Sequence, residues 1–391
     1  MGLVAKVVLV VAGISFMTFV AFFGQLPAFR RTPIAFLHRL LWVYIPYYLA
    51  RLDNVVTGGR LSRVFARTWN YLLYRKHPVV LIFFLGLLTG CTVMFLPAVY
   101  PYIALRHKLL LAFLIPWPYV ATYVCTLANP SAPHLISPAT HSAHLTYYPY
   151  DHTLYHPGVI CRTCDLPKPA RSKHCSLCGT CVARADHHCI WINNCVGRGN
   201  YKWFLALLAS MSVNLSYAAF LAYTVLGPPV REHFARFPLD HQHSFEGRED
   251  RLGRLLGWAE GKVDVFGTAV QIGGLGIGAV GMMATMTAPL PAGLLAYHVY
   301  LIWAGMTTNE SNKWSEWAED VRDGQVWTGE MVERDASTGT EWRGHVLVRT
   351  LGEYPRWEDG IEGGWRRVTS MQEVVNIYDR GFWDNLRDAL E

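Results

Sequence analysis

Between Cys161 and Cys195 lie seven of the chain's nine cysteines, with His174, His187 and His188 among them. Two C-x-x-C pairs, Cys161/Cys164 and Cys175/Cys178, followed closely by further Cys and His, have the spacing of structural zinc sites. Two closed tetrahedral sites take about eight ligands, and seven cysteines with three histidines offer ten. One Cys and one His are surplus. The pair to leave out is His187 and Cys189, because an acid precedes them in Asp186-His187-His188-Cys189. An acid that orients an imidazole, and an imidazole that activates a thiol, is the recurring arrangement of cysteine nucleophiles. Clustered, metal-spaced thiols belong in a reducing compartment rather than in a disulfide framework, so this segment is expected to face the cytosol.

These residues resemble the cysteine-rich domain of the DHHC family of protein S-acyltransferases. The resemblance runs from Cys161 to Leu208 and follows CxxC…KPxRxxHCxxC…C…DHHC…WxNNCVGxxNYxxF almost throughout. It implies interleaved zinc ligands: Cys161, Cys164, His174 and Cys181 for one ion, and Cys175, Cys178, His188 and Cys195 for the other. Asp186, His187 and Cys189 are then the catalytic group. Ile190 stands where many members carry proline, and Asn129-Pro130-Ser131 is a faint echo of the family's Asp-Pro-Gly. Thr307-Thr308-Asn309-Glu310 resembles the family's TTxE motif, which implies that Thr308 and Glu310 lie near the catalytic pair. The stretch from Asn376 to Asn385 is similar to the C-terminal motif, in which an Asn and an aromatic anchor the tail.

The rest of the chain reads as membrane. It is 52% hydrophobic and 16% charged, against roughly a quarter charged in soluble domains. A net charge of +6 on 391 residues, with no basic stripe carrying base-stacking aromatics, excludes nucleic acid as a partner. Leu3 to Gly24 is interrupted only by Lys6 and reads as a first span rather than a cleaved signal peptide. The arginines of residues 25–77 make that loop cytosolic, with interfacial amphipathic helices around Leu40 to Leu49. Val79 to Tyr100, Leu109 to Leu127 and Phe204 to Leu226 supply further spans, the last closed by Pro228-Pro229. Residues 227–265 form a lumenal loop, in which His233, His241 and His243 are solvated side chains.

A Gly-rich segment that kinks or packs closely leads into a single last crossing ending near Gly305. The expected fold is an α-helical polytopic membrane protein of about five transmembrane helices with a cytosolic zinc-binding cysteine-rich domain. Its parts are an N-terminal membrane region (1–128), a linker (129–158), the zinc domain (159–209), a C-terminal membrane region (203–305) and a cytosolic tail (306–391). Cys91 and Cys125 are packing residues within spans.

The implied reaction is acyl transfer from palmitoyl-CoA, through an acyl-enzyme on Cys189, to cysteines of membrane proteins. Both zinc ions are structural, since filled shells leave no open position. Lys168, Arg171 and Lys173 are expected at the CoA phosphates, and Trp191 beside the first acyl carbons or at the interface. Asn194, Asn200 and Tyr201 are expected to be structural. The overall plan is similar to fungal palmitoyltransferases of the endoplasmic reticulum that act on SNARE-like proteins at juxtamembrane cysteines. A non-catalytic, membrane-anchored zinc module that binds partners is the competing reading.

Overall fold

The computed structural model describes residues 16–17, 20–21, 32–127, 134–237, 251–334, 341–350, 353–355 and 361–391. The expected first span lies almost wholly outside them, as do Asn129-Pro130-Ser131, His241 and His243. After helical turns over Pro33–Arg39 and Leu40–Tyr44 come two amphipathic helices, α1 (Ile45–Thr57) and α2 (Arg60–Tyr74). Gly58 and Gly59 join them with left-handed φ of 67° and 76°. Asp53 fastens the turn, accepting bonds from the Leu61 and Ser62 amides at 3.3 and 2.7 Å.

Helix α3 (Val79–Val99) is apolar on all sides and continues to Tyr102 as a membrane-length run. Helices α4 (Leu105–Leu114) and α5 (Pro116–Thr126) make the next. Helix α6 (Tyr201–Arg236) is the third. It does not stop at Pro228-Pro229 as expected: the fixed φ of proline is already helical, and the helix continues through both. A fourth apolar helical run covers Gly261–Trp303, made of α7 (Arg251–Gly273), α8 (Val280–Thr287) and α9 (Pro289–Trp303).

That last run bends sharply. Gly274 has φ of +61°, and a Cβ on Gly278 would sit 2.6 Å from the Val270 Cα. The chain therefore folds back on itself at the Gly-rich segment, and only residues without side chains permit the approach. Beyond the bend, α8 and α9 are joined by the Ala288 N–H to Ala284 carbonyl bond. Together they give about 36 Å of helix, enough for a hydrocarbon layer of about 30 Å. Helices of this length and composition make the chain a polytopic membrane protein.

The described chain divides into two compact units, one of residues 1–77, 94–99 and 221–282, the other of 78–93, 100–220 and 283–391. The second unit holds the cysteine-rich segment, which is built from very short strands. After β1 (Leu135–Ile136) come three hairpins: β2–β3 (Ile160–Cys161, Leu166–Pro167), β4–β5 (Lys173–Cys175, Thr180–Val182) and β6–β7 (His187–Cys189, Asn194–Val196). β1 joins β5 and β4 in one sheet.

The tail, 306–391, for which the sequence offered only its two short motifs, carries a helix and a sheet. Helix α10 (Thr308–Arg322) packs on an antiparallel sheet of order β10-β8-β9 (Val326–Arg334, Glu341–Arg349, Ile361–Arg367). Trp317, Val321, Val326, Leu347 and Val368 form their shared core. Helix α11 (Phe382–Leu390) closes the chain.

The tail is tied to the end of α9. The Met306 N–H reaches the Leu301 carbonyl at 2.9 Å, the bond pattern of a glycine-terminated helix, with Gly305 at φ +65°. Asn376 and Asn385 donate to the Ala304 and Trp303 carbonyls at 3.1 and 3.4 Å, satisfying acceptors that every helix end leaves unpaired. A Cβ on Gly305 would meet the Asp379 backbone at 2.5 Å. Gly305→Ala is therefore expected to cost about 1–3 kcal/mol and to open the tail to limited proteolysis. Gly293→Ala, with nothing within 4 Å of its Cβ, serves as the control. Equal melting and proteolysis of the two variants would refute this role for Gly305.

Candidate active site

Each hairpin of the cysteine-rich segment turns on a residue with positive φ: Asp165 (52°), Gly179 (68°) and Asn193 (50°). The Asp165 and Gly179 amides donate back to the Cys161 and Cys175 carbonyls, both at 2.8 Å. Two donor groups result, Cys161/Cys164/His174/Cys181 and Cys175/Cys178/His188/Cys195, with the ligand atoms of each within 4.8 Å of one another.

The separations fit zinc. Tetrahedral bonds of about 2.3 Å to sulfur and 2.0–2.1 Å to nitrogen place S and N about 3.6 Å apart. His174 Nδ1 lies 3.5, 3.4 and 3.9 Å from the sulfurs of Cys161, Cys164 and Cys181. His188 Nδ1 lies 3.6, 3.5 and 3.6 Å from those of Cys175, Cys178 and Cys195. Three thiolates and an imidazole fill a structural zinc shell. Five strands too short to hold themselves, β2, β4, β5, β6 and β7, are thereby cross-linked.

Strand β6 separates structure from chemistry. Successive side chains leave a strand on opposite faces, so His188 turns to its cluster while His187 and Cys189 share the other face. Asp186 is buried and bonded at every turn. Its Oδ2 lies 2.6 Å from His187 Nδ1 and accepts the Thr308 hydroxyl at 2.9 Å. Its Oδ1 accepts the Thr308 amide at 2.7 Å. Burial alone would raise the Asp186 pKa, but the hydrogen bond and charge of His187, with His298 and the Thr308 amide, hold it below the usual carboxylate range. Burial likewise opposes the charged form of His187. Hydrogen bonds to Asp186 and Cys189 and the charges of both outweigh it, raising the imidazole to about 9. Such an imidazole holds a proton taken from a neighbouring thiol.

Cys189 is buried in an apolar cluster with Ala121, Cys125, Phe204, Leu207 and Ile302, residues from three membrane-length runs. Trp191 is about half exposed (49%), its ring 6.1 Å edge-on from Phe84 of α3. The β6–β7 turn closes without proline, as the Asn193 amide donates to the Ile190 carbonyl at 3.3 Å. Asn194 and Asn200 make structural bonds to the Cys125 and Cys195 carbonyls at 3.0 and 2.8 Å. Cys125 packs in the same cluster as Cys189.

The expected phosphate contacts divide. Lys173 borders a cavity of about 320 Å³ that also touches Asp186, His187, Thr308, Asn309 and Asn312. Lys168 and Lys173 share an electrostatic neighbourhood with Lys313 of α10, which the sequence reading did not single out. Burial lowers the Lys313 pKa against the pull of Glu310 and Asp151, and the two lysines lower it further.

Arg171 is removed from this set. It is only 2% exposed, and its guanidinium grips Glu310 at 2.8 and 2.6 Å and the Gly305 carbonyl at 3.2 Å. Its face lies 4.6 and 5.0 Å from the Tyr378 and Tyr148 ring centroids. A side chain so enclosed is not open to a ligand.

Glu310 is equally buried. It completes the capping box of α10 by accepting the Thr307 amide at 2.9 Å. Of the tetrad, Thr308 touches Asp186, and Glu310 positions Thr308 from behind.

Asp388, near the end of the chain, completes this network. It accepts from Arg184 at 2.9 Å, Tyr148 at 2.7 Å and Arg171 at 3.4 Å. The sequence held no signal for it, because an acid near the end of an amphipathic helix reads as solvated. His298 was missed as well. It is buried on α9, with Nδ1 2.9 Å from the Tyr201 hydroxyl and its ring 6.2 Å from that of His187. A lone histidine in an apolar run, which is rarely there without a role, was the available clue.

Comparison with known proteins agrees with this geometry. The family model described as DHHC palmitoyltransferase matches residues 155–315. Palmitoyltransferase SWF1 of Neurospora crassa is 40% identical over 408 residues, covering 100% of this chain and 92% of that protein. Palmitoyltransferase swf1 of Emericella nidulans is 40% identical over 415 residues, covering 99% and 96%. The Schizosaccharomyces pombe protein of the same name is 31% identical over 402 residues, covering 97% and 94%.

Glu310→Gln leaves the Arg171 charge buried without its principal partner and is expected to cost about 3 kcal/mol. Lys168→Gln should leave stability unchanged. Thermal melts of both variants, with zinc content measured alongside, check this. A Glu310→Gln protein that melts with the wild type would refute the role given to the pair.

Proposed function

Since the chain belongs to the DHHC palmitoyltransferase family and is a protein S-palmitoyltransferase, we propose that it works in two steps through an acyl-enzyme on Cys189, with palmitoyl-CoA as donor. His187 takes the proton from the Cys189 thiol, and the thiolate attacks the thioester carbonyl. The bond from carbonyl carbon to the CoA sulfur breaks, and the departing CoA thiolate takes back a proton from His187. A substrate thiol then passes its proton to His187 and attacks the acyl-Cys189 thioester, returning Cys189 to its free state. Thioester exchange is nearly balanced in energy. The protein's task is therefore to raise the thiolate fraction and position two sulfurs in turn.

The observation that carries this reading is the shared face of β6, where His187 and Cys189 meet with Asp186 fixed behind the imidazole. Zinc, when bound by the eight ligands, supplies rigidity to that strand. The apolar cluster around Cys189 suits an acyl chain lying among the helices, with Trp191 beside its first carbons. Lys168 and Lys173, joined by Lys313, suit the CoA phosphates on the polar side.

The acceptors are membrane proteins with cysteines near the cytosolic membrane edge, of the SNARE-like class, and the residence is the endoplasmic reticulum membrane with the active site in the cytosol. Free metal-binding thiols and the arginine-rich loop of residues 25–77 support that orientation. The alternative of a non-catalytic zinc module is set aside, since the chain matches named palmitoyltransferases along its whole length.

Labelled palmitoyl-CoA is expected to give a hydroxylamine-sensitive adduct on the purified wild type and none on Cys189→Ser. Both should hold about two zinc ions per chain, as two closed sites require. Equal labelling of the two would place the acyl site elsewhere. Loss of zinc in the variant would make Cys189 a ligand instead.

A further inference from the structure

His298 stands apart from the family motifs, yet it is enclosed in the site. It lies on α9, the helix that ends at Trp303 just before the Thr307–Glu310 tetrad, and it is 1% exposed. Its Nδ1 is 2.9 Å from the Tyr201 hydroxyl at the start of α6. Its ring meets Phe204 edge-on at 5.1 Å and lies 6.2 Å from the His187 ring, tilted by 34°. Phe204 in turn meets His187 at 5.2 Å.

The Asp186 bond holds His187 at Nδ1. Tilting of the ring about that bond moves the opposite nitrogen, which must stay aimed at Cys189. Phe204 and His298, their rings 5.1 Å apart, pack together against one side of the imidazole and limit its swing in that direction. Phe204 is held by packing alone, whereas His298 would itself rotate unless its nitrogen were anchored, and Tyr201 provides the anchor. A hydrogen-bonded pair of polar rings between membrane helices is expensive to maintain where alanine or leucine would pack. Holding two helices together requires no contact with His187, but this pair makes one.

We propose that His298, held by Tyr201, is a positioning residue that fixes the plane of the His187 imidazole toward Cys189. The inference rests on the reading of Cys189 as the nucleophile, and the measurement below separates the two. Cys189 in zinc-loaded, purified full-length protein is alkylated with iodoacetamide at neutral pH, and its rate is followed by mass spectrometry. This needs no acyl donor. The rate of acyl-enzyme formation from palmitoyl-CoA and the KM for that donor are measured in parallel.

His298→Phe keeps a ring and loses the hydrogen bond, and Tyr201→Phe removes only the hydroxyl. Each is expected to slow both Cys189 alkylation and acylation about tenfold, the scale of a lost orienting contact. KM and zinc content should stay at wild-type values. The double variant should be no slower than either single one, because both changes break the same bond. Wild-type alkylation rates in the single variants, or multiplying effects in the double, would overturn the proposal. So would slowing accompanied by zinc loss and a raised KM, which assigns the pair to folding alone. Slowed alkylation in a protein that never acquires an acyl group would uphold the role of His298 and remove the acyl-enzyme reading instead.

Discussion

The buried pair of Arg171 and Glu310 is the contact on which the arrangement of the site depends. Two charges withdrawn from water are stable only when geometry and additional hydrogen bonds compensate for lost hydration. Here the guanidinium is bidentate to the carboxylate and donates further to the Gly305 carbonyl. Aromatic rings of Tyr148 and Tyr378 cover its face. The pair joins three separate stretches of chain: the cysteine-rich segment, the end of the last membrane helix and the start of α10. Burial works to raise the Glu310 pKa, and the charge and hydrogen bond of Arg171 reverse it, so the carboxyl stays below its ordinary value. A charged Glu310 keeps the Thr307 cap closed, and the closed cap aims Thr308 at Asp186.

From that pair outward, the catalytic face follows as a series of supported supports. Asp388 neutralises Arg184 and shares Arg171, so the final helix of the chain takes part in holding the hairpins in place. Tyr378 reaches the Pro149 carbonyl at 2.9 Å while its ring lies against Arg171. The zinc clusters act at shorter range. Strands of two or three residues have almost no core of their own, and a metal site turns each hairpin into a rigid element. Neither device touches the Cys189 sulfur. Each removes freedom from the residue that does, which is how a thiol and an imidazole are kept in register in a membrane-edge site.

Much of this was legible in the sequence where the signal is local. Spacing announced two metal sites with one Cys and one His to spare, the family resemblance implied how the ligands divide, and the folded chain gathers the same eight residues. Apolar length pointed to the membrane-length helices, although the helix from Tyr201 runs on to Arg236, past the prolines expected to end it. Expectations failed where a residue's partner lies far along the chain. Arg171 stands among lysines in the cysteine-rich segment and reads as a surface cation, but Glu310 claims it from 139 positions away. The strands of the tail carried short runs such as Val346 to Val348, which the density of surrounding charge concealed.

The sequence by itself determined the candidates: the Cys and His groups spaced for metal, the acid beside His187 and Cys189, and the segments too apolar to leave a bilayer. Those properties reside in residue type and spacing, and survive any arrangement of the rest. Only the tertiary structure decided who supports whom. It buried Arg171 and Asp388 together, put Thr308 rather than Glu310 against Asp186, and set His298 beside His187. Such pairings depend on which helices and hairpins meet. A one-dimensional pattern does not encode the meeting of elements more than a hundred residues apart, because the burial that favours each contact exists only once the chain has folded.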